Sequence, residues 1–230
     1  MNLIAHRGAR TMLELEFTHA AAAGTSTATS FLSEFRLPMH GRSQGLRRAT
    51  GGIWLFGFAD AERDATDSAL DILAREFRAA PASESAGVTF SRLFQEAKLQ
   101  PGLPVRPHSG VVACGLCFDR VVVAHSGGTG CYLVRQNHAT RLTLSNVDLI
   151  DYQIQPGDVL LLCGEAMHHA VKGSEMAEIV GHGADLKAAA RQLSELATER
   201  EPEQAISVAV IRILAVERSS QIRSRAQATF

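Results

Sequence analysis

The segment Trp54-Leu-Phe-Gly-Phe-Ala-Asp60-Ala-Glu62-Arg-Asp64 sets the strongest limit on the architecture. A short apolar run of this kind reads as a buried strand. It ends on carboxylates, and Asp64–Phe77 then fits a helix. There Ala69, Leu70, Leu73 and Phe77 share one stripe with Ile72 at its edge, and Asp64 or Thr66 can cap the start. Strand-end carboxylates beside a helix start are a common place to hold a metal or an active-site group. Asp60 is therefore the first candidate site residue.

The elements before this strand are less regular. Residues 12–20 alternate apolar and polar, the pattern of a half-buried strand. Phe31–Leu37 reads as a second strand. The Gly, Ser and Pro content of Pro38–Gly52 predicts a loop. Its Arg42, Arg47 and Arg48 could receive an anion, although a solvated loop explains them as well. Beyond the helix, Ala79–Gly87 reads as a small-residue loop, and Phe90–Leu99 fits a second amphipathic helix. Pro101–Pro107 is an extended connector, because proline excludes helix.

From Ser109 the periodicity becomes strand-like. Val111–Phe118, Arg120–His125 and Gly130–Arg135 read as successive strands, with turns at Asp119-Arg120 and Ser126–Gly130. Thr140–Leu144 is a short fourth. Ile154–Asp158 is a turn into the fully apolar strand Val159–Cys163. Met167–Val171 and Met176–Val180 suggest short helices. Asp185–Glu199 is a clear amphipathic helix with Leu186, Ala189, Ala190, Leu193 and Leu196 inside. Ile206–Val216 closes the fold as a long apolar strand. Strands, two helices, a strand meander, a helix and a last strand indicate an α+β class. Neither a repeat nor a linker interrupts it, so residues 1–216 are expected to form one domain, with 217–230 as a polar tail that frays.

Composition narrows the function classes. The hydrophobic fraction of 46% supplies a sizeable core. A net charge of −1 argues against a nucleic-acid partner, because phosphate backbones are bound through excess Lys and Arg. The sequence has no apolar run near the roughly 18 residues that span a bilayer. Met1–Gly8 lacks the continuous apolar region of a signal peptide. A cytoplasmic protein without membrane contact is expected.

Cys114 and Cys117 have CxxC spacing, a pattern of redox and zinc sites. They fall on a strand, where residues three apart face opposite ways. With Cys131 and Cys163 they are expected to be buried structural thiols. The adjacent His168 and His169 lie near Glu165, but neighbours on a helix do not share a face, which disfavours chelation. His125 and His108 flank glycine turns as ordinary hydrogen-bonding residues. Ser126 has no His/Asp relay to make it a nucleophile.

Four phrases in this order resemble the metal-dependent (PPM-type) Ser/Thr protein phosphatases. They are Phe56–Ala61, Arg120–Arg135, Gln155–Glu165 and Ala188–Ile213. They match, respectively, that family's Asp-Gly strand end, its Gly-Asp-Ser-Arg turn, its Pro-Gly-Asp turn with Thr-Asp-Gly, and its closing Asp-Asn-x-Thr strand. The resemblance spans roughly residues 12–214. It implies a four-layer α-β-β-α sandwich. It also implies carboxylates between the sheets that hold two Mg or Mn ions, and an arginine near the first strand that holds phosphate.

The matching positions depart from that pattern. Asp60 survives, but Ala61 replaces the glycine after it. Thr27–Leu32, where the phosphate arginine and an acidic group belong, carries no charge. Gly128 and Gly130 replace the acid and arginine of the Gly-Asp-Ser-Arg turn. The Thr-Asp-Gly acid is Glu165, followed by Ala166, and the last acid falls on Gln204 with Glu203 beside it. Val111 and Val112 replace two hydroxyls after Gly110. The stretch between Gly130 and Pro156 is short for the family.

Hard divalent cations need several charged oxygens to offset dehydration. The expectation is therefore a pseudophosphatase-like domain with no cofactor and no catalytic residues. It would bind a protein partner, namely a kinase, a phosphoprotein or an active phosphatase, in bacterial signalling. The alternative is a divergent Mn- or Mg-dependent phosphatase with residual ligands Asp60, Glu165 and Gln204, joined by Glu62 or Asp64. On the bland reading, those last two are helix first-turn acids.

Overall fold

The structure, a computed structural model, describes residues 13–22, 29–34, 47–51, 53–61, 75–76, 79, 88, 90, 92–94, 110–143, 150–181 and 183–216. At 22, 29–34, 47–51, 53–54 and 59–61 the description covers backbone alone.

Among the described residues, eleven strands appear in the order β1 Leu13–Ala22, β2 Thr29–Glu34, β3 Arg47–Gly51, β4 Ile53–Ala61, β5 Gly110–Cys117, β6 Arg120–Gly127, β7 Gly130–Arg135, β8 His138–Arg141, β9 Ile150–Gln153, β10 Val159–Cys163 and β11 Ile206–Val216. Three helices, α1 Glu165–Ala170, α2 Gly173–Ile179 and α3 Leu186–Arg200, lie between β10 and β11. The strands form a six-stranded sheet, β3-β1-β11-β10-β7-β8, and a five-stranded sheet, β2-β4-β5-β6-β9. Every described pairing is antiparallel.

Period-2 alternation places one side of each strand between the sheets. Leu13, Leu15 and Phe17 of β1 meet Phe56 and Phe58 of β4, with Val112 and Leu116 of β5 and Ile211 and Ile213 of β11 in the same cluster. Phe17 and Phe56 make an edge contact from sheet to sheet at 5.3 Å between centroids. The other face of the six-stranded sheet packs under the helices: Val134, Leu161, Val208 and Val210 lie against Met167, Met176, Leu186 and Leu193. β10 lies between β7 and β11 and is covered on both faces, which explains why all five of its residues are apolar and buried.

Residues 75–76, 79, 88, 90 and 92–94 are helical, and Phe90, Leu93 and Phe94 among them are buried. The Phe90 ring occupies the space that a Cβ on Gly115 would take. The expected four-layer α-β-β-α sandwich is therefore observed.

α3 starts where the sequence says it should. Asp185 Oδ1 accepts from the N–H of Lys187 at 2.8 Å and of Ala188 at 3.0 Å. Leu186, Ala189, Ala190, Leu193 and Ala197 are buried, and Leu196 lies at the edge of that face.

Some expectations are corrected. The segment read as the loop 38–52 contains β3, an edge strand that pairs with β1 alone. Glycine- and arginine-rich composition hid it, because an edge strand needs little apolar side chain. β9 was also missed. It is a polar edge strand that pairs with β6, and three of its four residues are exposed. Strand β2 is described over Thr29–Glu34, starting two residues earlier than expected, with residues 35–37 of the expected strand outside the described ones, and Ala79 is helical rather than loop. β8 runs His138–Arg141, earlier than expected. Its hairpin turn is Gln136-Asn137, both at positive φ (50° and 58°), the geometry of a two-residue type I′ loop. The helix read over 64–77 lies outside the described residues except at 75–76, as do His108, the 101–107 connector and the 217–230 tail.

Candidate functional site

Strand register brings the predicted positions to one end of the sandwich. Asp60 of β4 stands opposite Ser30 of β2 and Gly110 of β5, and Gly110 stands opposite Gly127 of β6. Gly128 and Thr129 then carry the chain from the five-stranded sheet to the start of β7 in the other sheet. There Gly130 pairs with Cys163, two residues before Glu165. Cys163 pairs in turn with Val208, and Ala22 pairs with Ile206, two residues after Gln204. Leu32 sits further in, opposite Phe58. Asp60 is described here by its backbone position alone.

At the sheet-to-sheet crossing, Gly128 and Glu165 are in close contact. A Cβ on Gly128 would stand 2.5 Å from Glu165 Oε2 and 2.6 Å from both its Cβ and Cδ. Real Cβ atoms do not approach that closely, so the Glu165 side chain and any side chain at 128 exclude one another. Glu165 is the first residue of α1, where a carboxylate complements the N-terminal end of the helix. Gln204 lies in the turn between α3 and β11. Its residue is exposed, and its N–H donates to Glu201 O at 3.1 Å. The structure thus brings Glu165 to Gly128 and gives Gln204 a place in an exposed turn.

Among the described residues, no three His, Cys, Asp or Glu side chains converge on one point. Glu165 is the carboxylate described at the crossing, beside Gly110, Gly127, Gly128 and Gly130. Such ions require several oxygen ligands and matching charge.

A different set of groups surrounds the turn. The Tyr132 hydroxyl lies 3.2 Å from His168 Nδ1, with their rings edge to face at 5.9 Å. Thr143 Oγ1 accepts from the Cys131 N–H at 3.1 Å and from Arg141 Nε at 3.4 Å. Burial, followed by the charge of Arg141 and then His169, lowers His168 to about 4. Burial and Arg141 also lower His125, against a hydrogen bond to the Thr129 backbone. His125 Nδ1 is buried without a hydrogen-bond partner. His169 is exposed and its ring lies 5.8 Å from that of His168, so the histidine pair spreads over two faces. Arg141, Tyr132 and Thr143 were not singled out in the sequence. The type I′ signal in Gln136-Asn137 was the clue, since that turn places Arg141 opposite Tyr132.

Asp158 of the Pro-Gly-Asp phrase is structural. It accepts Arg135 Nε at 2.8 Å and Nη2 at 2.6 Å, and its Oδ2 also takes the Gln155 N–H at 2.8 Å. All four cysteines are buried free thiols. Cys114 faces the inter-sheet core, while Cys117, three residues on, does not join that cluster. Burial pushes Cys114 up to about 12, and burial with the charge of Asp119 pushes Cys117 up to about 11.

The chain matches no protein-family model and no curated protein. Solved structures do match. The S. agalactiae serine/threonine phosphatase superposes with a TM-score of 0.65 at 16% identity, over 88% of this chain and 100% of that one. The Mycobacterium tuberculosis serine/threonine phosphatase PstP gives 0.62 at 14%, over 88% and 100%. PppA, described as a key regulatory component of T6SS in Pseudomonas aeruginosa, gives 0.57 at 16%, over 87% and 98%. The fold of this chain is therefore that of the PPM-type Ser/Thr phosphatases. Among the described residues, no helix is long and apolar enough to cross a membrane.

Proposed function

We propose that this chain is a catalytically inactive phosphatase-like domain. In this reading it works as a regulatory or scaffolding protein-binding module in phosphorylation-linked signalling, in the bacterial cytoplasm. The observation that carries the reading is the Gly128–Glu165 contact. At the crossing where the resemblance calls for an acid, there is no Cβ, and the neighbouring acid fills its space. Phosphoester hydrolysis by this fold needs a metal-activated water and a charge clamp on the phosphate. The sequence supplies neither the acidic group nor the arginine of the first strand at Thr27–Leu32. Protein partners are supported by the regulatory role stated for PppA, whose fold this chain shares.

The runner-up is a divergent Mn- or Mg-dependent phosphatase whose reduced site is built on Asp60 and Glu165. The register favours it in one respect, since it brings both residues to the same end of the sandwich. Calorimetric titration separates the two. Our reading predicts no saturable heat with millimolar Mn or Mg. Saturable binding that disappears in Asp60→Asn or Glu165→Gln supports the runner-up instead.

A further inference from the structure

A cleft of about 510 Å³ lies between the C-terminal half of β1 and the outer flank of α3. That is within the size range of clefts that hold ligands. Its described lining includes none of Asp60, Gly128, Glu165 or Gln204. His19, Ala20 and Ala21 line it from the strand side. Successive strand side chains point to opposite faces, so three residues in a row meet one space along the strand's edge, where the backbone groups are. β11 holds one edge of β1 from Leu13 to Ala22. On the other edge, the described pairing with β3 runs from Leu13 to Phe17. The cleft therefore takes up along β1 where β3 stops.

The helix side is low and polar. Ala188 is exposed, and with Ala20 and Ala21 it leaves depth in the cleft. Ser194 is 4% exposed, and its Oγ has no hydrogen-bond partner. A buried hydroxyl of that kind calls for one. The charged side chains of this wall balance in pairs. Arg191 Nε lies 3.5 Å from Glu195 Oε1. Asp185 is held below the ordinary carboxylate value by the N–H groups of Ala188 and Lys187, and then by the Lys187 charge. The wall thus offers an incoming group no net charge.

A strand edge beside a helix flank is a geometry in which an extended peptide can add to a sheet. Main-chain hydrogen bonds give such a segment its affinity, and the contacts of alternate side chains give its specificity. A charged segment would shed water here with no net counter-charge to receive it. We propose that the cleft takes an extended, uncharged segment of a partner protein, which pairs through its main chain with β1 beyond the end of β3 and lays small side chains against Ala20, Ala21 and Ala188. This rests on the protein-binding reading above and adds the surface and the chemistry of the partner.

The test selects a displayed library of random short peptides on the full chain, with counter-selection on Ala188→Trp, which fills the cleft from an exposed helix position. The wild type is expected to enrich uncharged sequences without a central proline. NMR with the most enriched peptide should shift the backbone amides of Ala20 and Ala21. Its affinity should fall by about tenfold or more in Ala188→Trp and by less in Ala188→Leu, which fills less of the space. Ser194→Ala should weaken it several-fold. N-methylation of the central peptide residues, one at a time, should abolish binding at one position at least, because it removes a main-chain donor. The proposal is overturned if no sequence is enriched over the counter-selection, if the shifts avoid Ala20 and Ala21, or if every N-methylated peptide binds as well as its parent. Enrichment of acidic or basic sequences overturns the uncharged assignment. Hydrolysis is read separately: turnover removes the inactive-domain reading, whereas failure of peptide selection removes only this inference.

Discussion

Glu165 occupies the space that a side chain on Gly128 would need, with its Oε2 only 2.5 Å from where the Cβ would stand. The crossing between the sheets therefore holds one residue's carboxylate or the other's side chain, and not both as they stand. Gly128→Ala should destabilise by about 1–3 kcal/mol, the usual cost of overpacking a filled site. Glu165→Ala should relieve most of that cost in the double variant, leaving a favourable coupling of about 1 kcal/mol or more. Urea unfolding of the two single variants and the double variant checks this. Additive losses would mean that the two sites do not compete for space.

Asp158 ties the Pro-Gly-Asp turn to the end of β7 through both oxygens on Arg135. The side chain of Asp158 is 1% exposed, against 29% for Arg135. Asp158→Ala strips the partner from Arg135 and the acceptor from the Gln155 N–H. A loss of about 3 kcal/mol is expected, at the low end for broken buried pairs because Arg135 can still reach water. Chemical denaturation measures it. A loss under about 0.5 kcal/mol, typical of an exposed ion pair, would show that the pair is solvated.

The cysteines should be inert in the folded chain. A thiol-reactive dye is expected to label none of Cys114, Cys117, Cys131 or Cys163 at pH 8 until denaturant is added. The raised thiols also set an alkaline limit. Near pH 7 the folded and unfolded thiols are both neutral, and no stability difference arises. Above about pH 9 the unfolded chain ionises Cys114 and Cys117 while the folded chain holds them neutral toward about 12 and 11, so stability falls as pH rises. Labelling of the native protein at pH 8 would place at least one thiol at the surface.

His168 sets the acid side. Its folded value is lowered to about 4 from an ordinary 6.5, through burial, Arg141 and His169. The unfolded chain takes up this proton first, so stability is lost as pH falls from 6.5 toward 4. His168→Gln should flatten that part of the pH–stability curve. Arg141→Gln should raise the His168 value measured by NMR, because it removes a like charge. An unchanged titration in Arg141→Gln would show that burial alone holds His168 neutral.

The sheets were largely legible in the sequence. β10 and β11 are long apolar runs with no competing reading, and α3 announces itself through Asp185 and its Leu and Ala stripe. β3 and β9 were not legible, because edge strands gain stability from one neighbour and tolerate polar or glycine-rich composition. For the site, the replaced residues Gly128, Gly130 and Gln204 could be read along the chain. Mutual exclusion between Gly128 and Glu165 could not, since it depends on how α1 meets the crossing in space. That no described carboxylate pairs with Arg141 was equally hidden, because no local pattern shows which charges find partners.

The central claim is that this fold no longer hydrolyses phosphoesters. Its most direct test is turnover of an aryl phosphate and a phosphoserine peptide by the purified chain in millimolar Mn, alongside Asp60→Asn. We predict that wild type and Asp60→Asn are indistinguishable from the metal-only blank. Robust Mn-dependent turnover by the wild type that Asp60→Asn abolishes would contradict the account.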